Sequence, residues 1–226
     1  MKRATVSYKG FRFSKLNDPQ FSHLKLLLFW PPFLTMFFVT GRIYPLEECA
    51  VMHMPLDDLI PFCEWFVIPY VVWYLQIAFT LLYFLRYDVQ SFKRIQIFIV
   101  LAQVISTVIF LLFPTCHQLR PETFPRDNLL TDCVKLLYAV DTPANACPSL
   151  HVTYAIGIAV TWCMSKAAHW GWKLGMVVLS ILICMATTFI KQHSAVDFFG
   201  ALPLCAVCAL IVHLILRKKK AGELSR

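Results

Sequence analysis

The sequence predicts an all-α polytopic membrane protein, a six-transmembrane-helix bundle, and three observations predict it. Of 226 residues, 58% are hydrophobic and 15% charged, with a mean hydropathy of +0.63; soluble domains average about 45–50% apolar and about 25% charged. Six stretches are uncharged or nearly so, each close to the roughly 20 apolar residues that cross a bilayer. Finally, Lys and Arg are divided very unevenly between alternate connections. A soluble globular protein is excluded, because this much apolar surface needs lipid to cover it.

The first stretch runs from Leu24 to Arg42, with Lys25 near its start and Pro31-Pro32 inside. The second, Trp65 to Leu85, is uncharged throughout, and the third is Ile95 to Phe113. Cys147 to Met164 forms the fourth and contains His151; Ala167 to Ile190 forms the fifth, with Trp170 and Trp172 at its beginning. The sixth spans Phe198 to Leu216. Pro69 and Pro203 fall inside the second and sixth, where neighbouring helices can satisfy a backbone group freed by a kink. Residues 1–23 read as a basic cytoplasmic segment with no apolar core, hence no secretory signal. Residues 24–216 make up the membrane domain, and 217–226 a basic cytoplasmic tail.

Six spans place both termini and the even-numbered connections on one side. That side carries sixteen Lys and Arg against three Asp and Glu; the other carries five against ten. Because Lys and Arg collect on the cytoplasmic side, the termini are expected there, and segments 43–64 and 114–146 outside. The formal charge of +8 then reports topology and implies no nucleic acid partner. Nine Cys is an odd count and predicts neither a disulfide framework nor a metal finger.

Against that acidic outer face, a few basic residues stand out. Arg120, Lys191, His151 and His193 all fall at or near the outer ends of spans. Cys147-Pro148-Ser149-Leu150-His151-Val152 lies where the fourth helix begins, so free N–H groups and the positive end of the helix dipole favour an anion above it. Within Lys191-Gln192-His193-Ser194-Ala195-Val196-Asp197, His193 and Asp197 are four residues apart and share a helical face. A carboxylate beside an imidazole sets its tautomer, raises its basicity and leaves the other ring nitrogen for attack or proton transfer. Two His and one Asp at one face suit phosphoryl transfer.

Pro148-Ser149-Leu150-His151-Val152, followed about forty residues later by His193-x-x-x-Asp197 and preceded by Arg120-Pro121, resembles the type 2 phosphatidic acid phosphatase superfamily. The Leu between Ser149 and His151, and Thr187 where an Arg would stand six residues before His193, resemble the branch of inositol phosphorylceramide synthase and sphingomyelin synthase. The resemblance extends from about Asp57-Asp58-Leu59-Ile60-Pro61-Phe62 to the sixth helix. It implies a site on the outer face, independent of metal and cofactor. His193 attacks phosphorus there, Asp197 supports it and His151 protonates the leaving oxygen, while Arg120, Ser149 and Lys191 bind phosphate. The substrate it implies is a lipid phosphate or phospholipid, and the acceptor is water or an alcohol. Two family cations are missing. Phe113 stands where the first motif has Lys, and Ala186-Thr187 where the third has Ser-Arg; Lys191, His117 and Lys135 are the candidate replacements.

Two other classes stand beside the phosphatase or phosphotransferase. The missing cations fit a non-catalytic lipid-binding or transport protein with the same fold. A metallohydrolase using His193, Asp197 and His151 as zinc ligands is the third, and it has no evident further strong ligand. His213, twenty residues beyond His193, is about 30 Å away along a helix and is expected to be structural.

Overall fold

In a computed structural model, residues 6–224 are described, with side chains as far as Lys218. Those parts of the basic terminal segments at 1–5 and 225–226, and the side chains of 219–224, lie outside the described residues. The chain is helical almost throughout. A 3-10 helix, Ser22–Phe29, runs into α1 (Trp30–Thr40), and the short α2 (Pro55–Leu59) follows. Then come α3 (Val67–Tyr87), α4 (Val89–Leu112), α5 (Leu129–Val140), α6 (Leu150–Met164), α7 (Trp170–Phe189) and α8 (Ala195–Leu224).

Five helical stretches are long and apolar enough to cross a membrane: Ser22–Thr40, Glu64–Tyr87, Val89–Leu112, Trp170–Phe189 and Ala195–Lys218. The fourth expected span is the shorter α6. Its 15 residues rise about 22 Å, against a hydrocarbon core of about 30 Å. Two local causes set its bounds: Ser149 accepts a bond from Val152 N and starts the helix, and Ser165, in extended conformation, ends it. At α1, Pro31 and Pro32 sit in the first turn, where a missing N–H removes no helical bond. Pro203 leaves α8 continuous.

The short helix α6 is central and packs against α7, α4 and α8. Accordingly it is apolar on every side, burying Val152, Tyr154, Ala155, Ile158 and Trp162. Gly157 lets it approach α4, since a Cβ there would run into the Phe98 ring. Polar side chains bond across the helices: Trp162 Nε1 donates to Thr80 Oγ1 at 3.0 Å, Tyr154 Oη to Gln103 Oε1 at 3.0 Å, and Gln76 Nε2 to Ser180 Oγ at 2.9 Å. Such bonds hold helices together where apolar burial cannot distinguish neighbour from lipid. Cys205 and Cys208, a Cys-x-x-Cys pair in α8, are buried free thiols.

The bundle has two distinct ends. At one, the loops before α3 and after α4 meet as a short parallel ladder, β1 (Ala50–Val51) with β2 (Thr115–Cys116), in which Ala50 pairs with Thr115. Cys116 also bridges to Ala144. Helix α5 lies at this end, within a stretch expected to be loop. At the other end, Asp88 makes the tight turn between α3 and α4, and Ser165 Oγ donates to its Oδ2 at 2.7 Å. The N-terminal segment is pinned there as well, by the Tyr8 hydroxyl donating to Leu85 O at 2.7 Å.

Candidate active site

The turn from α7 to α8 builds one half of the site. Thr187 O accepts from both Gln192 N and His193 N, at 3.0 and 2.9 Å, folding the chain back on α7. Lys191 occupies this turn with φ of 53°, the left-handed region that usually selects Gly after a helix. Its ammonium donates to Asp57 O and Ile60 O, at 2.7 and 2.5 Å, which ties α2 to the turn. Burial lowers the Lys191 pKa, and Asp57 opposes that shift.

Helix α8 then starts with reciprocal caps. Ser194 Oγ accepts from Val196 N at 3.1 Å, and Asp197 Oδ2 accepts from Ser194 N at 2.9 Å. Ser-x-x-Asp thus acts as a capping box. The same Asp197 oxygen lies 3.1 Å from His193 Nδ1. Because a carboxylate only accepts, Nδ1 carries the proton and Nε2 keeps its lone pair. Asp197 is fully buried, and its other oxygen, Oδ1, has no hydrogen-bond partner among the described residues. From α2, Asp57 reaches the same turn: its Oδ1 accepts from Ala195 N at 2.7 Å and its Oδ2 from Ser194 Oγ at 2.5 Å.

His151 supplies the other half, from the first turn of α6. Its ring stacks on Tyr70, with centroids 4.4 Å apart, and packs on Trp73 at 4.1 Å. The His193 ring is 5.7 Å away. His151 Nε2 is buried without a hydrogen-bond partner among the described residues. Both imidazoles line one cavity with Phe37, Arg42, Asp141 and Gln192.

The three residues expected to bind phosphate each bond to the protein itself. Ser149 is fully buried and caps α6; its backbone N donates to Asp197 O at 3.2 Å, which brings the two halves together. Lys191 is spent on α2. Arg120 makes four hydrogen bonds: two to Gln192 Oε1 at 3.0 and 2.6 Å, one to Tyr138 O at 3.0 Å and one to Asp141 O at 2.6 Å. It also lies 4.4 Å over the Tyr138 ring. Burial lowers its pKa, which Asp141 counters. Ser149, Arg120 and Lys191 therefore surround the histidine pair as its frame, and none is among the residues that line the cavity.

Sequence reasoning missed Arg42, the one Arg or Lys lining the cavity. Its guanidinium donates to Phe38 O and Val140 O, at 3.0 and 3.3 Å. Asp141 was missed too; burial raises its pKa, against the pull of His193 and Arg120, and it accepts from Gln192 Nε2 and the Tyr70 hydroxyl, each at 3.3 Å. His117 has both ring nitrogens buried without a hydrogen-bond partner among the described residues; burial, with His193 and Arg120 adding to it, pushes its pKa down to about 3. Lys135 pairs with Asp127 and Asp132. Among the described residues, no group of three or more His, Cys, Asp or Glu is arranged to hold a metal ion. No family model matches the chain, and neither a curated protein nor a solved structure does.

Proposed function

We propose that this chain is a metal-independent membrane enzyme that hydrolyses or transfers the phosphoryl group of a lipid phosphate through a phosphohistidine, as its resemblance to the type 2 phosphatidic acid phosphatases implies. One observation carries the reading: Asp197 stands 3.1 Å from His193 Nδ1, with His151 facing the same cavity 5.7 Å from that ring.

In this reading His193 Nε2 forms a bond to phosphorus while the ester P–O bond breaks, and the leaving oxygen takes a proton from His151. Water or an alcohol then attacks the phosphohistidine and gives its proton to His151; the P–N bond breaks and His193 is restored. Splitting the displacement into two steps replaces one high barrier with two lower ones. Asp197 keeps the attacking imidazole in the required tautomer. Phe37 offers the lipid an apolar wall, and Arg42, which lines the same cavity, offers a cation to the phosphate.

The membrane arrangement belongs to the same proposal. Helix α6 counts as the sixth span, enclosed by its neighbours. The termini face the cytoplasm, and the His193 end, with its acidic loops, faces outward as the charge asymmetry indicates. An external protease that cut the Lys-rich tail past Arg217 in sealed, oriented vesicles would reverse this.

Rapid quenching during turnover on a panel of lipid phosphates is expected to trap an acid-labile, base-stable phosphohistidine. That adduct disappears in His193→Ala and is much reduced in Asp197→Asn. An active wild type with no adduct, and near-normal turnover in folded His193→Ala, would overturn the mechanism. One observation favours a second reading, a non-catalytic lipid-binding or transport protein: Arg120 and Lys191 spend their hydrogen bonds on the protein itself. Turnover on any lipid phosphate removes it.

A further inference from the structure

A cavity of about 800 Å³ opens between α4, α6 and α8, within the roughly 300–1,000 Å³ range of ligand pockets. It lies at the end opposite to His193, beside the Asp88 turn. Its walls are apolar, including Phe98, Ile156, Val160, Cys205, Ala209 and Val212. The mouth carries Arg94, Lys166, Arg217 and His213, with Asp88 as the single acid. That acid is already committed: its carboxylate accepts from Ser91 N, Ser91 Oγ and Ser165 Oγ, at 3.1, 2.7 and 2.7 Å. Arg94 and Arg217, by contrast, make no salt bridge with any described residue.

Shape identifies the class of ligand. From Arg217 at the mouth to Cys205 on the wall, α8 rises about 18 Å, and one leaflet of hydrocarbon is about 15 Å deep. A soluble anion would occupy the mouth and leave the apolar walls bare; an uncharged lipid would cover the walls and leave the guanidinium groups unpaired. An anionic lipid satisfies both. We infer that this cavity is a binding site for one anionic glycerophospholipid of the surrounding leaflet, its phosphate on Arg94 and Arg217 and an acyl chain along α6 and α8. Bidentate bonding of guanidinium to phosphate supplies the selectivity, and clustered basic residues between helices are a known means of holding lipid headgroups. The site is separate from the proposed chemistry and does not depend on it.

The test uses the full chain in phosphatidylcholine vesicles doped with phosphatidylglycerol or phosphatidylcholine that bears a photoactivatable group on one acyl chain. Phosphatidylglycerol is expected to label residues 156–164 and 205–216 about 10- to 30-fold more than phosphatidylcholine, as two basic residues near a lipid phosphate would give. In Arg94→Gln/Arg217→Gln this preference should fall below about 3-fold with the thermal midpoint unchanged. Ala209→Phe, which fills the wall and keeps both charges, should lose the label as well. Equal labelling by the two lipids in wild type, a preference that survives both variants, or adducts confined to the His193 end would overturn the site. Displacement of the label by millimolar inorganic phosphate would overturn the lipid in favour of a soluble anion.

Discussion

At the His193 end of the bundle, Arg120 and Lys191 are partly or largely buried and give their N–H groups to carbonyl and amide oxygens of the chain. At the opposite end, Arg94 and Arg217 stand over an apolar cavity with no salt bridge to a described residue. The difference is one of solvation. A buried cation must be hydrogen-bonded by its surroundings or it costs several kcal/mol, so a cation built into a protein frame is no longer available to a ligand. One held at a rim, where water satisfies it until a phosphate arrives, is still available. A positive residue near a candidate site is therefore weak evidence for anion binding until its donors are accounted for.

The largest effect expected to sharpen this comparison lies between the imidazoles. His151→Ala should slow release of phosphate from a natural lipid ester by about 10²–10⁴-fold, and far less for a substrate whose leaving group has a low pKa, since that group needs no proton. Steady-state rates on the two substrates decide it. Equal losses on both would assign His151 to binding or packing against Tyr70 and Trp73.

Next in size is a contrast of stability between the ends. Asp57→Ala removes the acceptor of Ala195 N, Ser194 Oγ and Met54 N, stranding buried donors at about 1–3 kcal/mol apiece. A net loss of about 3–5 kcal/mol is expected, read as a lower thermal midpoint in detergent. Arg94→Gln/Arg217→Gln, at the other end, should stay within about 0.5 kcal/mol of wild type. Comparable losses would show that Arg94 and Arg217 serve the fold rather than a ligand.

The smallest effect concerns acid. Folded His117 protonates only at about 3, whereas an unfolded His does so near about 6.5. Between those values the unfolded chain binds a proton that the folded chain refuses, so stability falls as pH falls, by about 1.4 kcal/mol per unit. Asp141 acts in the opposite sense: its raised pKa makes the folded chain take a proton first, adding stability as pH falls. His117→Gln removes the first contribution and leaves the second. The midpoint of the variant should therefore decline less steeply below about pH 6.5 than that of wild type; equal slopes would mean that His117 is hydrated when folded.

Much of the frame was legible because bilayer thickness imposes a length on apolar stretches; the expected shared helical face of His193 and Asp197 was not, because His193 lies in the turn before α8 and it is the turn that brings its ring to Asp197. The Ser194-x-x-Asp197 box was legible too, had it been read as a helix start rather than only as a site. So was α5: Asn128 caps it by accepting from Thr131 N, and Leu130, Val134, Leu137 and Tyr138 repeat at helical intervals onto the core beside Val67 and Tyr70. What no local pattern carries is Asp57 against Ser194, or Arg120 against Gln192. Those contacts join positions 137 and 72 residues apart, and the polar types involved are those that would equally face solvent. The reading of Arg120 and Lys191 as phosphate ligands, drawn from motif and position, could not foresee these hydrogen bonds to the protein.

The capping box at the start of α8 also bears on how such a chain would drift if its chemistry were no longer selected. Residues kept only for catalysis tend to weaken a fold and are readily lost. Asp197 is of another kind: it closes the first turn of α8 through Ser194 N, and replacing such a cap costs about 1 kcal/mol whether or not His193 ever attacks phosphorus. A lineage that abandoned the reaction would be free to exchange His193, while the carboxylate beneath it stayed for the sake of the helix. Among descendants of this chain, a retained Asp at this position would mark the architecture, and only the imidazole above it would mark the proposed chemistry.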